Sequence, residues 1–594
     1  MRVADYIIEF LIEKGITRPF VVTGRGALFL NDALAKSKGI DPIFTHHEQG
    51  AGFAAIGGAD VTQSPQAAIV STGCASTNVI TALLCAWQDY RPLVVISGQN
   101  TLRETTRHTG SKVKTYGQQE ADIISIVEPI CKAAVMLDDP KRVRYELERM
   151  FELAQDGNGG PVWMDVPLDI QNAHVEPGEL EGFDPGPTGA GTALAVADLE
   201  YLTAALAEAV RPVFLIGSGV RHGDATELLS KIAEARSIPV VYTASAVDIV
   251  PLSNPVSIGS FGSQGCSRAG AFAVQNSDLV IILGSRMNSL TTGPDFCKFA
   301  RAARTVVVDI SSVEHEKPGI AFDRLIQSDV KAVLEALDEN GGSAPSYDQW
   351  LEKAQHWKAL FARNPEFVST AEAIDLYELA ANMQSVLPDD GVFVCDSGFI
   401  DVIVPTNAPF LPTQRVVRSV SQGAMGFAIP GALGVAVCSS RPVLCIVGDG
   451  SIMMNIQELE TIARYNLNIK IVVVLNGMYA IIKRRQNELF RGRTIGVDSD
   501  TGLKDPNFEQ IAKAFGLPFL RCGVDNYVAQ IRAQFDTPGS ALITIPGKVD
   551  QEYIEIGYGR DAEGRLARRP LEDQKPFLDR ETFRREMLIP TVDE

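Results

Sequence analysis

Two apolar runs, Val443 to Val447 and Ile469 to Leu475, flank the turn Gly448-Asp449-Gly450 and an amphipathic stretch. Short, wholly apolar runs suit strands buried on both faces of a parallel sheet. Between them Met453, Ile456, Leu459 and Ile462 recur at three- to four-residue spacing, which predicts a helix starting just after the turn, with these four on its inner face. A strand–helix–strand crossover is right-handed and sets the carboxyl ends of its strands side by side. Asp449 and Asn476 then share the edge where open α/β sheets bind ligands, and the helix N-terminus offers its free N–H groups there. A carboxylate and an amide oxygen, joined by a backbone carbonyl, make a hard-oxygen set for Mg²⁺, whose remaining positions go to water and phosphate. Gly448 and Gly450 let a diphosphate approach the backbone closely. An empty tight turn produces the same three letters, so the turn alone decides nothing.

The rest of the chain repeats this grammar. Strand and helix patterns alternate through residues 1–180, 196–340 and 366–548, which predicts an α/β protein of three doubly wound domains with mainly parallel sheets. Residues 175–195, rich in Gly, Pro and Thr, read as a linker, as does the polar Gly-Gly-Ser-Ala-Pro-Ser-Tyr-Asp-Gln at 341–349. Residues 549–594 are charged and irregular and read as an arm, over the active site or into solvent. At 594 residues the chain is long enough for several cores. Its net charge of −19 argues against a nucleic-acid or anionic-membrane surface. Nine cysteines without Cys-x-x-Cys spacing read as buried thiols in a reducing compartment. No apolar run reaches membrane-spanning length, and the opening amphipathic helix carries acids, unlike a leader; a cytoplasmic protein is the expectation.

The spacing from Gly448-Asp449-Gly450 to Asn476 resembles the thiamine-diphosphate motif of the acetohydroxyacid synthase and pyruvate decarboxylase superfamily. There a pair of asparagines follows, the second binding the metal; here Leu475 stands at the first position and Asn476 at the second. The resemblance implies thiamine diphosphate and Mg²⁺, the metal ligands being Asp449, Asn476 and the carbonyl of Met478. Glu48, within His46-His-Glu-Gln-Gly-Ala-Gly-Phe-Ala-Ala55, looks like the catalytic glutamate. In the family this carboxyl hydrogen-bonds N1′ of the aminopyrimidine, whose imino nitrogen then deprotonates thiazolium C2. Taken alone, Glu48 reads as a surface or capping carboxylate. Gln119 matches a glutamine near the reacting carbon, and His46 and His47 are either proton carriers or structural. Met425, in Ser421-Gln-Gly-Ala-Met-Gly, matches the apolar prop that bends the cofactor. Gly24, Asn78, Gly398, Gly423, Gly448, Gly450, Ser451 and Tyr479 complete the implied cofactor contacts.

The central domain resembles the family's FAD domain in outline, with Gly217, Gly219, Arg286, Asp309 and Asp329 at the matching turns. Binding of FAD or another adenine nucleotide, or a domain without ligand, both stay open. Two departures bear on the acceptor. Leu290 stands where acetohydroxyacid synthases carry an arginine, and Arg485, beside Lys483 and Arg484, stands at their tryptophan. This predicts a larger, anionic acceptor, or else a basic helix end in solvent. The segments near Gly24 and after Arg568 look closest to acetolactate-synthase-like carboligases of bacterial surface-sugar pathways. The expected reaction is decarboxylation of a 2-oxo acid, pyruvate foremost, with transfer of the fragment to a carbonyl acceptor such as a keto-sugar nucleotide. The alternatives are a biosynthetic acetolactate synthase and a non-catalytic cofactor-binding homologue. The resemblance also implies a homodimer or homotetramer with its site at the subunit interface.

Overall fold

A computed structural model describes residues 1–186, 193–339, 345–362, 365–560 and 564–592. Parts of both linkers, at 187–192 and 340–344, lie outside the described residues. Three six-stranded sheets organise the chain, and every pairing within them is parallel. The first runs in the order Ile43–Phe44, Phe20–Val21, Gln66–Val70, Leu93–Gln99, Val162–Pro167, Ala133–Met136. The second runs Arg324–Gln327, Arg304–Asp309, Leu279–Leu283, Pro212–Ile216, Val240–Tyr242, Ser257–Ser260. The third runs Arg415–Val417, Val392–Cys395, Val443–Gly448, Ile469–Leu475, Ala541–Pro546, Phe519–Arg521. Strands such as Gln66–Val70 and Leu279–Leu283 are buried at every residue, as sheets covered on both faces require. The doubly wound α/β architecture expected from the alternating pattern is therefore present three times.

The helix Glu48–Thr62 of the first domain lies tightly against Ala428–Cys438 of the third. A Cβ on Gly57 would stand 2.2 Å from the Gly431 carbonyl oxygen, and one on Gly434 only 1.8 Å from that of Ala54. Glycine at these crossings lets the two backbones touch.

Three expectations need correction. After Gly450 comes a short 3₁₀ turn, Ile452–Met454, and the helix proper spans Glu458–Arg464. The helix thus starts well past the turn and Met453 is 43% exposed, so no long helix N-terminus faces the cleft. Second, the stretch between the second and third sheets holds a helix, Asp348–Leu360, whose Trp350, Ala354 and Trp357 are buried. Trp350 Nε1 donates to the Pro212 carbonyl at 2.9 Å, fastening this helix to the second sheet. Third, the C-terminal arm is not irregular. It pairs Glu555–Ile556 with Gln574–Lys575, ends in the helix Arg580–Glu586, and docks on the second domain through Glu572, which meets Arg301 at 2.7 Å. Among the described residues no helix is long and apolar enough to cross a membrane.

Candidate active site

At the carboxyl edge of the third sheet a cavity of about 340 Å³ opens between its strands. That falls inside the roughly 300–1,000 Å³ typical of small-molecule sites. Its wall contains Gly398, Gly423, Met425, Gly448, Asp449, Gly450, Ser451, Asn476, Met478 and Tyr479, all singled out from the sequence. Parallel pairing of Val443–Gly448 with Ile469–Leu475 brings Asp449 and Asn476 together from neighbouring strand ends. Asp449 Oδ2 accepts from the N–H groups of Asn476 and Gly477, each at 2.7 Å, and Oδ1 accepts from Gly450 at 2.9 Å. Burial nevertheless pushes the Asp449 carboxyl above the usual carboxylate range. Asn476 Oδ1 accepts from Met478 N at 3.2 Å, which turns the chain so that both Asn476 and Met478 line the cleft.

Space for a cofactor is kept by the glycines. Gly398 and Gly423 have φ of 84° and 53°, and a Cβ on either would meet nothing within 4 Å. Gly450 differs: a Cβ there would strike the Tyr479 ring at 2.2 Å. Next to the wall, the fully buried Asp396 accepts from Ser451 Oγ at 2.7 Å and Gly426 N at 3.1 Å through Oδ2, while its Oδ1 has no partner. Burial raises this carboxyl to about 7. An open glycine cradle and a hard-oxygen pair together fit a diphosphate held through a divalent cation.

The first sheet gathers a second set at its own carboxyl edge. Glu48 opens the helix Glu48–Thr62 and accepts from Asn78 Nδ2 at 2.9 Å. A Cβ on Gly24 would stand 2.5 Å from Ser71 Cβ, and one on Gly73 2.1 Å from the Gln119 carbonyl oxygen. None of these residues lines the third-sheet cavity within one chain. His47 acts as the helix cap, its Nδ1 accepting from Gln49 N at 3.1 Å, and His46 Nε2 pairs with Glu460 at 2.6 Å. Both histidines therefore hold structural contacts. The backbone of the pair is held by Glu458, which accepts from His46 N and His47 N, each at 3.1 Å. Glu458 is wholly buried, and sequence reading missed it because its partners lie some 410 residues away.

In the central domain Gly219, Arg286, Asp309 and Asp329 line a groove at the sheet edge. Gly217 instead packs on Gly284, whose carbonyl oxygen would lie 2.3 Å from a Cβ there. The groove divides into cavities of about 90 and 100 Å³ that meet at Arg286. That guanidinium donates to Gln88 O and to Ser421 Oγ and lies over the Tyr90 ring at 5.2 Å. Each cavity is well below the roughly 300 Å³ of a small-ligand site, and the Arg286 side chain stands where the two meet.

Comparison with known proteins accounts for this geometry. Residues 1–126, 199–337 and 396–545 match the N-terminal TPP binding, central and C-terminal TPP binding domains of thiamine pyrophosphate enzymes. The chain is 30% identical over 560 residues to the acetolactate synthase isozyme 1 large subunit of Escherichia coli, covering 92% of this chain and 94% of that protein. The chain belongs to the acetolactate synthase family of thiamine pyrophosphate enzymes. It is also 30% identical to the isozyme 2 large subunit of E. coli (87% of this chain, 90% of that protein). To the acetolactate synthase large subunit of Corynebacterium glutamicum it is 31% identical (87% and 82%). Members of the superfamily use thiamine diphosphate for decarboxylation and carboligation, and this chain is an enzyme of that class.

Proposed function

We propose that the chain is an acetolactate-synthase-like catalytic subunit that removes CO₂ from a 2-oxo acid, pyruvate first, and joins the remaining fragment to a carbonyl acceptor. The observation that carries this reading is the convergence of Asp449, Asn476 and Met478 on a cleft floored by Gly398, Gly423 and Gly450. Asp449 and Asn476, with the Met478 carbonyl, would hold Mg²⁺, and the glycine edges would receive the diphosphate. When bound, thiamine diphosphate takes up the electron pair released with CO₂. Met425, which lines the cavity, would support its rings, and Glu48 of a second copy would hold a proton at the aminopyrimidine. The C1–C2 bond of the donor breaks, a bond from C2 to the acceptor carbonyl carbon forms, and the acceptor oxygen takes a proton.

The acceptor is read from the cations of the helix Ala480–Phe490. Lys483 pairs with Asp498 at 2.7 Å, Arg484 with Glu552 and Glu555, and Arg485 with Glu488 and Glu555, at 2.8–2.9 Å. With these charges neutralised, the helix offers no ground for an anionic acceptor. A second 2-oxo acid, giving acetolactate from two pyruvates, fits at least as well as a keto-sugar nucleotide. One observation keeps the second reading alive: Leu290, 53% exposed, lines the groove with Phe261 and Met287 and provides no charge for an acceptor carboxylate.

Incubation with thiamine diphosphate, Mg²⁺ and pyruvate tests both. CO₂ with acetolactate supports the first; CO₂ released, with ligation only when a keto-sugar nucleotide is added, supports the second. No CO₂ from any of several 2-oxo acids overturns both. Glu48→Gln should lower turnover about 10²–10⁴-fold, the range for loss of a proton-transfer group, with cofactor binding retained.

A further inference from the structure

The segment 455–461, which follows the cleft wall in the third domain, grips the start of the helix that carries Glu48. Glu458 Oε1 accepts from His46 N and His47 N, the two backbone donors before Glu48, each at 3.1 Å. Its Oε2 accepts from Thr461 Oγ1 at 2.7 Å, so both oxygens are engaged in a residue that is 0% exposed. A buried carboxylate is tolerated where such donors satisfy it, and its hydrogen bonds are then among the stronger ones. On the other side of Glu48, Asn455 Nδ2 donates to Gln49 Oε1 at 2.9 Å and to the Gly426 carbonyl at 3.0 Å, beside Met425. Gly50 completes the fit. A Cβ there would stand 2.5 Å from Glu458 Oε1, so a glycine gives the carboxylate its clearance to reach the two N–H groups.

We infer that Glu458 is a positioning residue for Glu48: by holding the backbone at His46 and His47 it fixes the point from which the Glu48 carboxyl reaches toward the cofactor. The inference rests on the proposed thiamine-diphosphate site. Glu48 is the first residue of its helix, where the chain turns in from extended backbone at His47, with φ −146° and ψ 145°. Helix ends fray unless their flanks are tied. A misplacement of about 1 Å can cost about 10²-fold in rate. Asn78 Nδ2, 2.9 Å from Glu48 Oε2, steadies the carboxyl itself, and Glu458 steadies the base of its side chain. Both partners of this grip belong to one chain, so it forms whichever copy's cofactor the carboxyl serves.

Two measurements on the full chain test this. Amide hydrogen exchange of the cofactor-free protein reads the grip, and deuterium exchange at C2 of added thiamine diphosphate, with Mg²⁺, reads the placing of Glu48. Glu458→Ala should speed amide exchange at His46 and His47 and slow C2 exchange about 10–100-fold, with thiamine diphosphate still bound. Glu458→Gln, whose amide oxygen takes the place of Oε1, should keep both readings close to those of the unmutated chain. Gly50→Ala keeps the carboxylate but crowds it off the two N–H groups; it should reproduce the Glu458→Ala result, and it decides the matter should Glu458→Ala fail to fold. A purely structural carboxylate would lower the melting midpoint and leave C2 exchange in the folded protein unchanged. That result overturns the inference, as does a Glu458→Gln chain as slow as Glu458→Ala; the thiamine site itself then stands. An unmutated chain that exchanges C2 no faster than free thiamine diphosphate overturns the thiamine-diphosphate reading and this inference together.

Discussion

Asp165 lies at the floor of the first sheet, wholly enclosed, and accepts from Ser97 Oγ at 2.5 Å and Gln99 Nε2 at 3.0 Å. Burial pushes its carboxyl from 3.8 to about 7. A folded state that keeps a proton the unfolded chain has lost is destabilised as pH rises between those two values. The shift amounts to at most about 4 kcal/mol. The unmutated chain should therefore lose stability relative to Asp165→Asn between pH 5 and 8, read from urea denaturation at both values; parallel curves would exclude the assignment. Gln99 continues the network to Ala121 O at 3.0 Å, beneath the loop carrying Gln119. Residues with a role in one short motif, Glu48, Asp449 and Asn476, were legible in the sequence because strand, turn and side chain lie together. Glu458 was not, since it acquires its meaning from His46 and His47, brought near by folding.

Helix and strand identities came through best where the chain is apolar and short. The strand Ile469–Leu475 is seen at the bounds that its apolar run predicts. The glycines of Glu48–Thr62 permit close packing, but nothing near them in the chain says against what. Their counterpart is Ala428–Cys438, and the crossing leaves no room for a methyl group. Gly434→Ala should force the helices apart and cost at least about 1–3 kcal/mol, the range for overpacking. Thermal melting checks this, and an unchanged midpoint would mean the helices can slide. Met453 and the late helix start misled the periodicity argument: the turn after Asp449 is tightened by Ser451, whose hydroxyl reaches Asp396, so the chain enters the helix only at Glu458. The helix Asp348–Leu360 was hidden by its polar neighbours and revealed only by its buried Trp350 and Trp357.

The three sheets are joined by charge as well as by apolar packing. Arg415, from the third, meets Asp60 of the first at 3.3 Å and Asp248 of the second at 3.4 Å; Arg91 and Arg221 complete the chain at 3.0 Å each. Buried ion pairs of this kind fix relative position more than they add stability. Within that fixed arrangement Glu48 does not line the cavity of Asp449, and the proposed function takes Glu48 from a second copy. Mixing Glu48→Gln chains with Asp449→Ala chains should then restore about a quarter of the activity, because half of randomly exchanged dimers hold one intact site. No recovery after verified exchange would place both residues in one chain's site.

Alternating apolar runs, glycine turns and the spacing from Asp449 to Asn476 determined three parallel α/β sheets and the chemistry of one strand edge, because those signals are local and each is read within a single crossover. Which helix meets which, and how Lys483, Arg484 and Arg485 are neutralised, were decided only in three dimensions. A charge or a glycine has no fixed meaning until its neighbours are set, and those neighbours are hundreds of residues away.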